Sequence, residues 1–94
     1  MTPEEIAARL SSVEGWEYAD GEIRRTFRFK NYDETLAFVN AVARIAIRED
    51  HHPEIEFGYR TCTVRYSTHA IGGISENDFI CAEEINALSR GGCA

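Results

Sequence analysis

Three short polar residues, each followed three positions later by an acid, divide this chain into segments: Thr2 with Glu5, Asn31 with Glu34, and Ser75 with Asp78. In this pattern the first side chain accepts from the unpaired amides of a helix start while the acid reaches back, so each pair predicts a helix beginning just after it. The first helix has Pro3 at the favoured opening position and Ile6, Ala7 and Leu10 on one stripe. The second, from about Tyr32 to Arg48, carries Leu36, Phe38, Val39, Val42, Ala43, Ile45 and Ala46, a wide apolar face suited to packing on a sheet. The third, from about Glu76 to Leu88, repeats Cys81, Ala82, Ile85 and Leu88 at helical spacing and is expected to fray into Gly91-Gly92.

Between these helices the apolar period changes to two. Trp16 and Tyr18 alternate with polar residues, Asp20-Gly21 supplies a tight turn, and Ile23, Phe27 and Phe29 resume the alternation. After the second helix Ile55, Phe57 and Tyr59 alternate, Tyr59-Arg60-Thr61 connects, and Cys62, Val64 and Tyr66 alternate again. The order is therefore α-β-β-α-β-β-α, an α+β fold with a four-stranded antiparallel sheet and helices packed on one face. The 94 residues are expected to form a single domain over positions 1–94. A chain this short buries roughly 60–65% of its unfolded surface, which makes self-association a reasonable expectation.

Composition narrows the function classes. With 44% apolar residues and two prolines the chain is globular, and a formal net charge of -6 argues against a protein that holds nucleic acid by its overall field. The cluster Arg24, Arg25, Arg28 and Lys30 is expected mostly on one solvated strand face. The start of the chain lacks a secretory pattern and no apolar run is long enough to span a membrane, so a soluble, cytoplasmic protein is expected. Three cysteines, Cys62, Cys81 and Cys93, are an odd count without paired spacing and read as reduced, small apolar residues.

All three histidines fall in two short segments, His51-His52-Pro53 and Ser67-Thr68-His69. The first lies where the long helix hands over to the third strand and the second at the end of the fourth. These strands are hairpin partners, so the start of one lies beside the end of the other. Pro53 keeps His52 extended and stops the helix. If strand geometry persists, Ser67 and His69 continue the polar face of Thr63 and Arg65, and a pocket of imidazoles and hydroxyls forms with Asp50 and Asp78 nearby. Imidazoles exchange protons near neutrality, so the corner suits acid/base chemistry without a covalent nucleophile. Plainer roles stand beside this one. His51 also fits as a charge partner of the helix C-terminus, Asp78 as a cap, Asp50 as a solvated acid, and Tyr59 as a strand residue bordering the site. No Cys-x-x-Cys or His-x-x-x-His pair occurs, so no metal is expected. Gly72-Gly73 lacks the spacing and lysine of a phosphate loop, but permits a ligand close to the backbone.

Asp50-His51-His52-Pro53-Glu54, Tyr59, Ser67-Thr68-His69, Gly73 and Asp78 together resemble the signature of pterin-4a-carbinolamine dehydratases. The resemblance implies a hydro-lyase that dehydrates 4a-hydroxytetrahydropterin to quinonoid dihydropterin, recycling tetrahydrobiopterin after an aromatic amino acid hydroxylase has used it. It implies a catalytic set of His51, His52 and His69, in which His51 and His69 are the acid/base pair and His52 mainly binds and orients the pterin. Substrate binding would fall to Asp50, His51, His52, Pro53, Ser67, Thr68, His69 and Asp78. From the residues themselves the chain is further expected to need no cofactor or metal, to form a homodimer or homotetramer, and to make no direct contact with nucleic acid or membrane. The chain departs from the pattern at three places. Ile47 stands where many members carry a glutamate that would support an imidazolium, with Glu49 two residues on. Ile55 replaces an aromatic residue, and Asn77 replaces an arginine. These departures keep open an alternative, a noncatalytic relative acting as a protein-binding or assembly factor, as animal members do when they promote dimerisation of a homeodomain transcription factor.

Overall fold

A computed structural model describes residues 1–90; the expected fraying at Gly91-Gly92 and the third cysteine, Cys93, lie outside the described residues. The elements are α1 (Pro3–Leu10), β1 (Glu17–Ala19), β2 (Glu22–Arg28), α2 (Tyr32–Glu49), β3 (Glu54–Phe57), β4 (Thr61–Tyr66), a 3-10 turn (His69–Ile71) and α3 (Glu76–Arg90). The sheet order is β1-β2-β4-β3 with every neighbouring pair antiparallel. This is the expected α+β arrangement.

The three helix starts differ in how they are capped. At α1 both arms form: Thr2 Oγ1 accepts from the Glu5 amide at 3.2 Å, and the Glu5 carboxylate accepts from the Thr2 amide at 2.8 Å. At α2 Asn31 Oδ1 accepts from the Glu34 amide at 2.9 Å, and Glu34 reaches one residue further back, to the Lys30 amide at 3.0 Å. At α3 only the acid arm forms, Asp78 Oδ2 accepting from the Ser75 amide at 2.9 Å. The Ser75 hydroxyl is 2.7 Å from Thr68 Oγ1. The third start thus has a different occupation from the first two, which matters at the site.

Ile23, Phe27, Cys62, Val64 and Tyr66 lie on the sheet face that joins Phe38, Val42 and Ile45 of α2 and Phe79, Ala82 and Ile85 of α3 in one core. Register aligns Ile23 with Tyr66 and Phe27 with Cys62, so the buried residues of β2 and β4 stack in rows. Between them sits Arg25, paired with Val64 on the same face. Its guanidinium lies over the Phe27 ring at 4.4 Å and donates to Asn86 Oδ1 and the Glu14 carbonyl, both at 2.7 Å. Arg25 therefore closes the side of the core and does not join Arg24 on the solvated face, because a buried asparagine and the Glu14 carbonyl, which Asn86 Nδ2 also reaches at 3.0 Å, satisfy its charged head.

Other expectations shift by a residue or two. Trp16 precedes β1 and is buried, donating to Asn86 Oδ1 at 2.8 Å, while Tyr18 on the short edge strand is largely exposed. Tyr59 sits in the turn after β3. There its carbonyl accepts from Thr35 Oγ1 at 3.0 Å and its ring stacks near Tyr32 at 6.2 Å. It lies at the opposite end of the β3–β4 hairpin from the histidines and does not border them. β4 ends at Tyr66, so strand geometry does not persist to His69, which instead opens the 3-10 turn.

Candidate functional site

Helix α2 ends with Asp50 in the left-handed region, φ 52° and ψ 44°, its amide bonded to the carbonyls of Ala46 and Ile47. The next amide, of His51, also returns to the Ala46 carbonyl at 3.0 Å. This reverses the chain within two residues, and Pro53 then commits it to the extended course of β3. Facing this segment is the chain leaving β4. Thr68 and Gly73 exchange backbone bonds of 2.7 and 3.3 Å, pinching off a loop that holds His69 on its 3-10 turn.

Between the two segments lies an open cleft of about 450 Å³ lined by Asp50, His51, His52, Pro53, Ser67, Thr68 and His69, with Glu54 and Ala70. Seven of the eight residues expected at a site are thus on one wall or the other. The eighth, Asp78, is behind the wall: its side chain is 0% exposed and that of His51 is 16% exposed. Hairpin adjacency brings the histidines together; the helices decide what stands behind them.

Asp78 Oδ1 is 2.5 Å from His51 Nε2. Its other oxygen accepts from the Thr68 hydroxyl at 2.8 Å and from the Ser75 amide at 2.9 Å, so three donors satisfy a carboxylate that water does not reach. With its one hydrogen given to Asp78, Thr68 Oγ1 accepts from the Ser75 hydroxyl, which explains why Ser75 does not cap α3 by its side chain. Nε2 of His51 donates to the carboxylate, leaving Nδ1, which has no partner among the described residues, as the nitrogen able to exchange a proton. Tyr66 completes the support. Its ring stacks on the imidazole at 5.1 Å with 17° between planes, and its hydroxyl donates to the His51 carbonyl at 3.1 Å. Burial pushes the Tyr66 hydroxyl pKa up, so it stays a donor.

This corrects the expectation drawn from Ile47. Ile47 is 73% exposed. Glu49 lies 3.7 Å from Arg48, and a hydrogen bond with Glu84 raises the Glu49 pKa. Neither position bears on the imidazole, whose carboxylate comes from α3, 27 residues away in sequence. Asp78 caps α3 and lies near the pocket as its spacing predicts; its direct bond to His51 follows from the docking of α3. Tyr66 was legible only as a core residue, since nothing in a period of two distinguishes a ring that packs from one that also holds a histidine.

His52, His69 and Asp50 are exposed on the cleft, and Pro53 and Ser67 are half-buried there. Cys62 and Cys81 are buried and free, and burial pushes both thiols up to about 11, which disfavours thiolate chemistry at neutral pH. Among the described residues no three His, Cys, Asp or Glu side chains are placed to hold a metal ion, and no helix is long and apolar enough to cross a membrane.

Comparison with known proteins extends these observations. Residues 1–88 match the family model described as pterin 4 alpha carbinolamine dehydratase. A protein of Nitrosospira multiformis, provisionally named a pterin-4-alpha-carbinolamine dehydratase, is 57% identical over 88 residues, which cover 94% of this chain and 78% of the relative. One of Bdellovibrio bacteriovorus with the same provisional name is 53% identical over 93 residues, covering 95% and 78%. Among solved structures, a transcriptional coactivator/pterin dehydratase from Brucella melitensis superposes with a TM-score of 0.90 at 32% identity, covering 94% of this chain and 96% of that one. A pterin dehydratase-like protein described as a RuBisCO assembly factor in the alpha-carboxysome shares the fold, with a TM-score of 0.69 at 23% identity over 80% of this chain and 89% of that one.

Proposed function

The chain belongs to the pterin 4 alpha carbinolamine dehydratase family, and from that premise we propose that it dehydrates 4a-hydroxytetrahydropterin to quinonoid dihydropterin by histidine acid/base catalysis. The observation that carries the reading is the His51–Asp78 pair set into the wall of a cleft that also presents His52 and His69. In the reaction one proton is delivered to the C4a hydroxyl, the C4a–O bond breaks as water leaves, and one proton is removed from N5. The electron pair of the N5–H bond becomes the C4a–N5 double bond, so no net proton, metal or redox partner is consumed. Two proton-exchanging groups on facing walls suit these two transfers, and positioned acid/base groups typically contribute ~10²–10⁴-fold each. His51, oriented through Nε2, and His69 serve as the pair, His52 binds and orients the pterin, and Asp50, Pro53, Ser67 and Thr68 line its pocket. Asp78 acts through His51 as a positioning residue.

Stopped-flow absorbance with 4a-hydroxytetrahydropterin generated in the mixing cell tests this. The wild-type protein is expected to accelerate dehydration over buffer, and His51→Ala and His69→Ala each to lower the rate by more than about tenfold. A wild-type rate equal to buffer overturns the enzyme reading. A chelator is expected to leave the rate unchanged.

One observation favours a second reading, a protein-binding or assembly role. Tyr32, Phe57 and Tyr59 form an exposed aromatic group, with centroids 6.4 and 6.2 Å apart, at the hairpin end away from the cleft. The same assay separates the two readings. We also propose a homodimer or homotetramer, supported by the open edge of β3; a monomer by light scattering at micromolar concentration would contradict it.

A further inference from the structure

Ser75 does not line the histidine cleft, yet its hydroxyl is engaged behind it. Helix α3 makes no use of that hydroxyl: the Ser75 amide is capped by Asp78 Oδ2 at 2.9 Å, while the side chain turns to Thr68 Oγ1 at 2.7 Å. Thr68 gives its single hydroxyl hydrogen to Asp78 Oδ2 at 2.8 Å, so the bond between Ser75 and Thr68 runs one way, from Ser75. The result is a directed chain from Ser75 through Thr68 to Asp78, whose other oxygen holds His51 Nε2. We propose that Ser75 is a positioning residue of the acid/base site, acting through Thr68 to hold His51 and His69 in fixed relation. The inference rests on the dehydratase reading and adds to it a residue outside the cleft.

Three observations carry it. Thr68 serves both histidines. Its hydroxyl reaches the carboxylate on His51, and its backbone closes the His69 loop through bonds of 2.7 and 3.3 Å with Gly73, its carbonyl also accepting from the Ile71 amide at 3.2 Å. A rotation of Thr68 would therefore disturb both walls. The Thr68 hydroxyl also needs a direction, because it can turn about its own C–O bond. With the Ser75 donor on its oxygen, the arrangement that keeps its hydrogen on Asp78 satisfies both partners at once. Ser75 is itself fixed. It begins α3 with its amide on Asp78 and its carbonyl accepting from the Asp78 amide at 3.1 Å, so the donor end of the chain is anchored by backbone.

A double-mutant cycle tests this, read by the dehydration assay and by 15N spectra of the histidine rings. Ser75→Ala leaves the backbone bonds of the α3 start in place, and should lower kcat about fivefold with KM within about twofold. Ser75→Thr, which restores the hydroxyl, should return kcat to within about twofold of wild type. The His51 ring signals should move in Ser75→Ala, and those of His52 should not. Thr68→Val nearly keeps the side-chain shape and removes the middle link, so it should lower kcat more than Ser75→Ala does. On that background Ser75→Ala should change kcat by less than about twofold, because the two hydroxyls act in series. The proposal is overturned by an unchanged kcat in Ser75→Ala, by a loss confined to KM, by unmoved His51 signals, or by an undiminished loss on the Thr68→Val background. Should Ser75→Ala fail to fold, Ser75→Cys, a weak donor of similar size, takes its place with the same outcomes. A wild-type rate equal to buffer removes the dehydratase reading, and the proposal falls with it.

Discussion

The two walls of the histidine cleft are built in opposite ways. On the first, His51 is largely buried, stacked on Tyr66 and bonded to a carboxylate that holds three donors. On the second, His69 is exposed on a single 3-10 turn between Thr68 and Gly72. On the first wall His51 is joined to β4 and α3 through side chains; on the second Thr68 is tied to Ser75 and Asp78, while His69 rides on the loop closed by the Thr68–Gly73 backbone bridge. A preorganised group costs nothing to orient at the moment of reaction, and an exposed one on a short turn can follow a substrate of variable shape. On the proposed reading His51 is the fixed member of the acid/base pair and His69 the member able to adjust to the substrate.

The largest effect that should separate the walls is on stability. Asp78→Ala leaves His51, Thr68 and the Ser75 amide without their acceptor and should cost about 3 kcal/mol or more in chemical denaturation. His69→Ala should cost within about 0.5 kcal/mol, as for an exposed side chain with no hydrogen-bond partner among the described residues. Equal losses would mean the walls are not built differently.

Activity comes next. Asp78→Asn, which preserves shape but presents an amide to Nε2, should lower kcat about tenfold with little change in KM, and the kcat–pH profile should shift relative to wild type. A change in KM alone would make Asp78 a binding residue and not a positioning one.

A smaller effect is expected at Tyr66. Tyr66→Phe keeps the stacked ring and removes the hydroxyl with its bond to the His51 carbonyl, so denaturation should show a loss of about 1 kcal/mol. A much larger loss would place the hydroxyl, rather than the ring, at the centre of the wall.

The smallest concerns pH. Cys62 and Cys81, raised by burial from 9.0 to about 11, favour the folded state fully below pH 9, and that contribution is lost as pH rises through 11. Thermal melts should therefore be unaffected by these thiols from pH 7 to 9 and fall by a few degrees toward pH 11. Cys62→Ala should flatten part of that fall, and an unchanged slope would remove the thiols as its cause.

Much of this architecture was legible in the residues, and the exceptions are instructive. Thr2 and Glu5 complete a capping box as their spacing implies, since both partners lie within one turn and no distant group competes. Ser75 and Asp78 have the same spacing, yet Thr68 and His51 arrive from elsewhere and take the Ser75 hydroxyl and one Asp78 oxygen. Tyr59 fits the alternation of β3 but falls in the turn, because the hairpin register aligns Phe57 with Cys62 and ends the pairing there. Ile47 leaves no gap at His51, because the carboxylate that holds the imidazole comes from α3 and not from its own helix.

What the sequence determined alone was the order of elements, the helix starts and the meeting of the two histidine segments. Capping, turn preference and side-chain alternation act over a few residues, and a short hairpin forces its ends together. What the tertiary structure decided was which carboxylate holds His51, which hydroxyl Asp78 receives, and which face Arg25 takes. Those outcomes are competitions among donors and acceptors far apart in the chain, settled by which helix packs against which end of the sheet and which polar groups that packing seals from water.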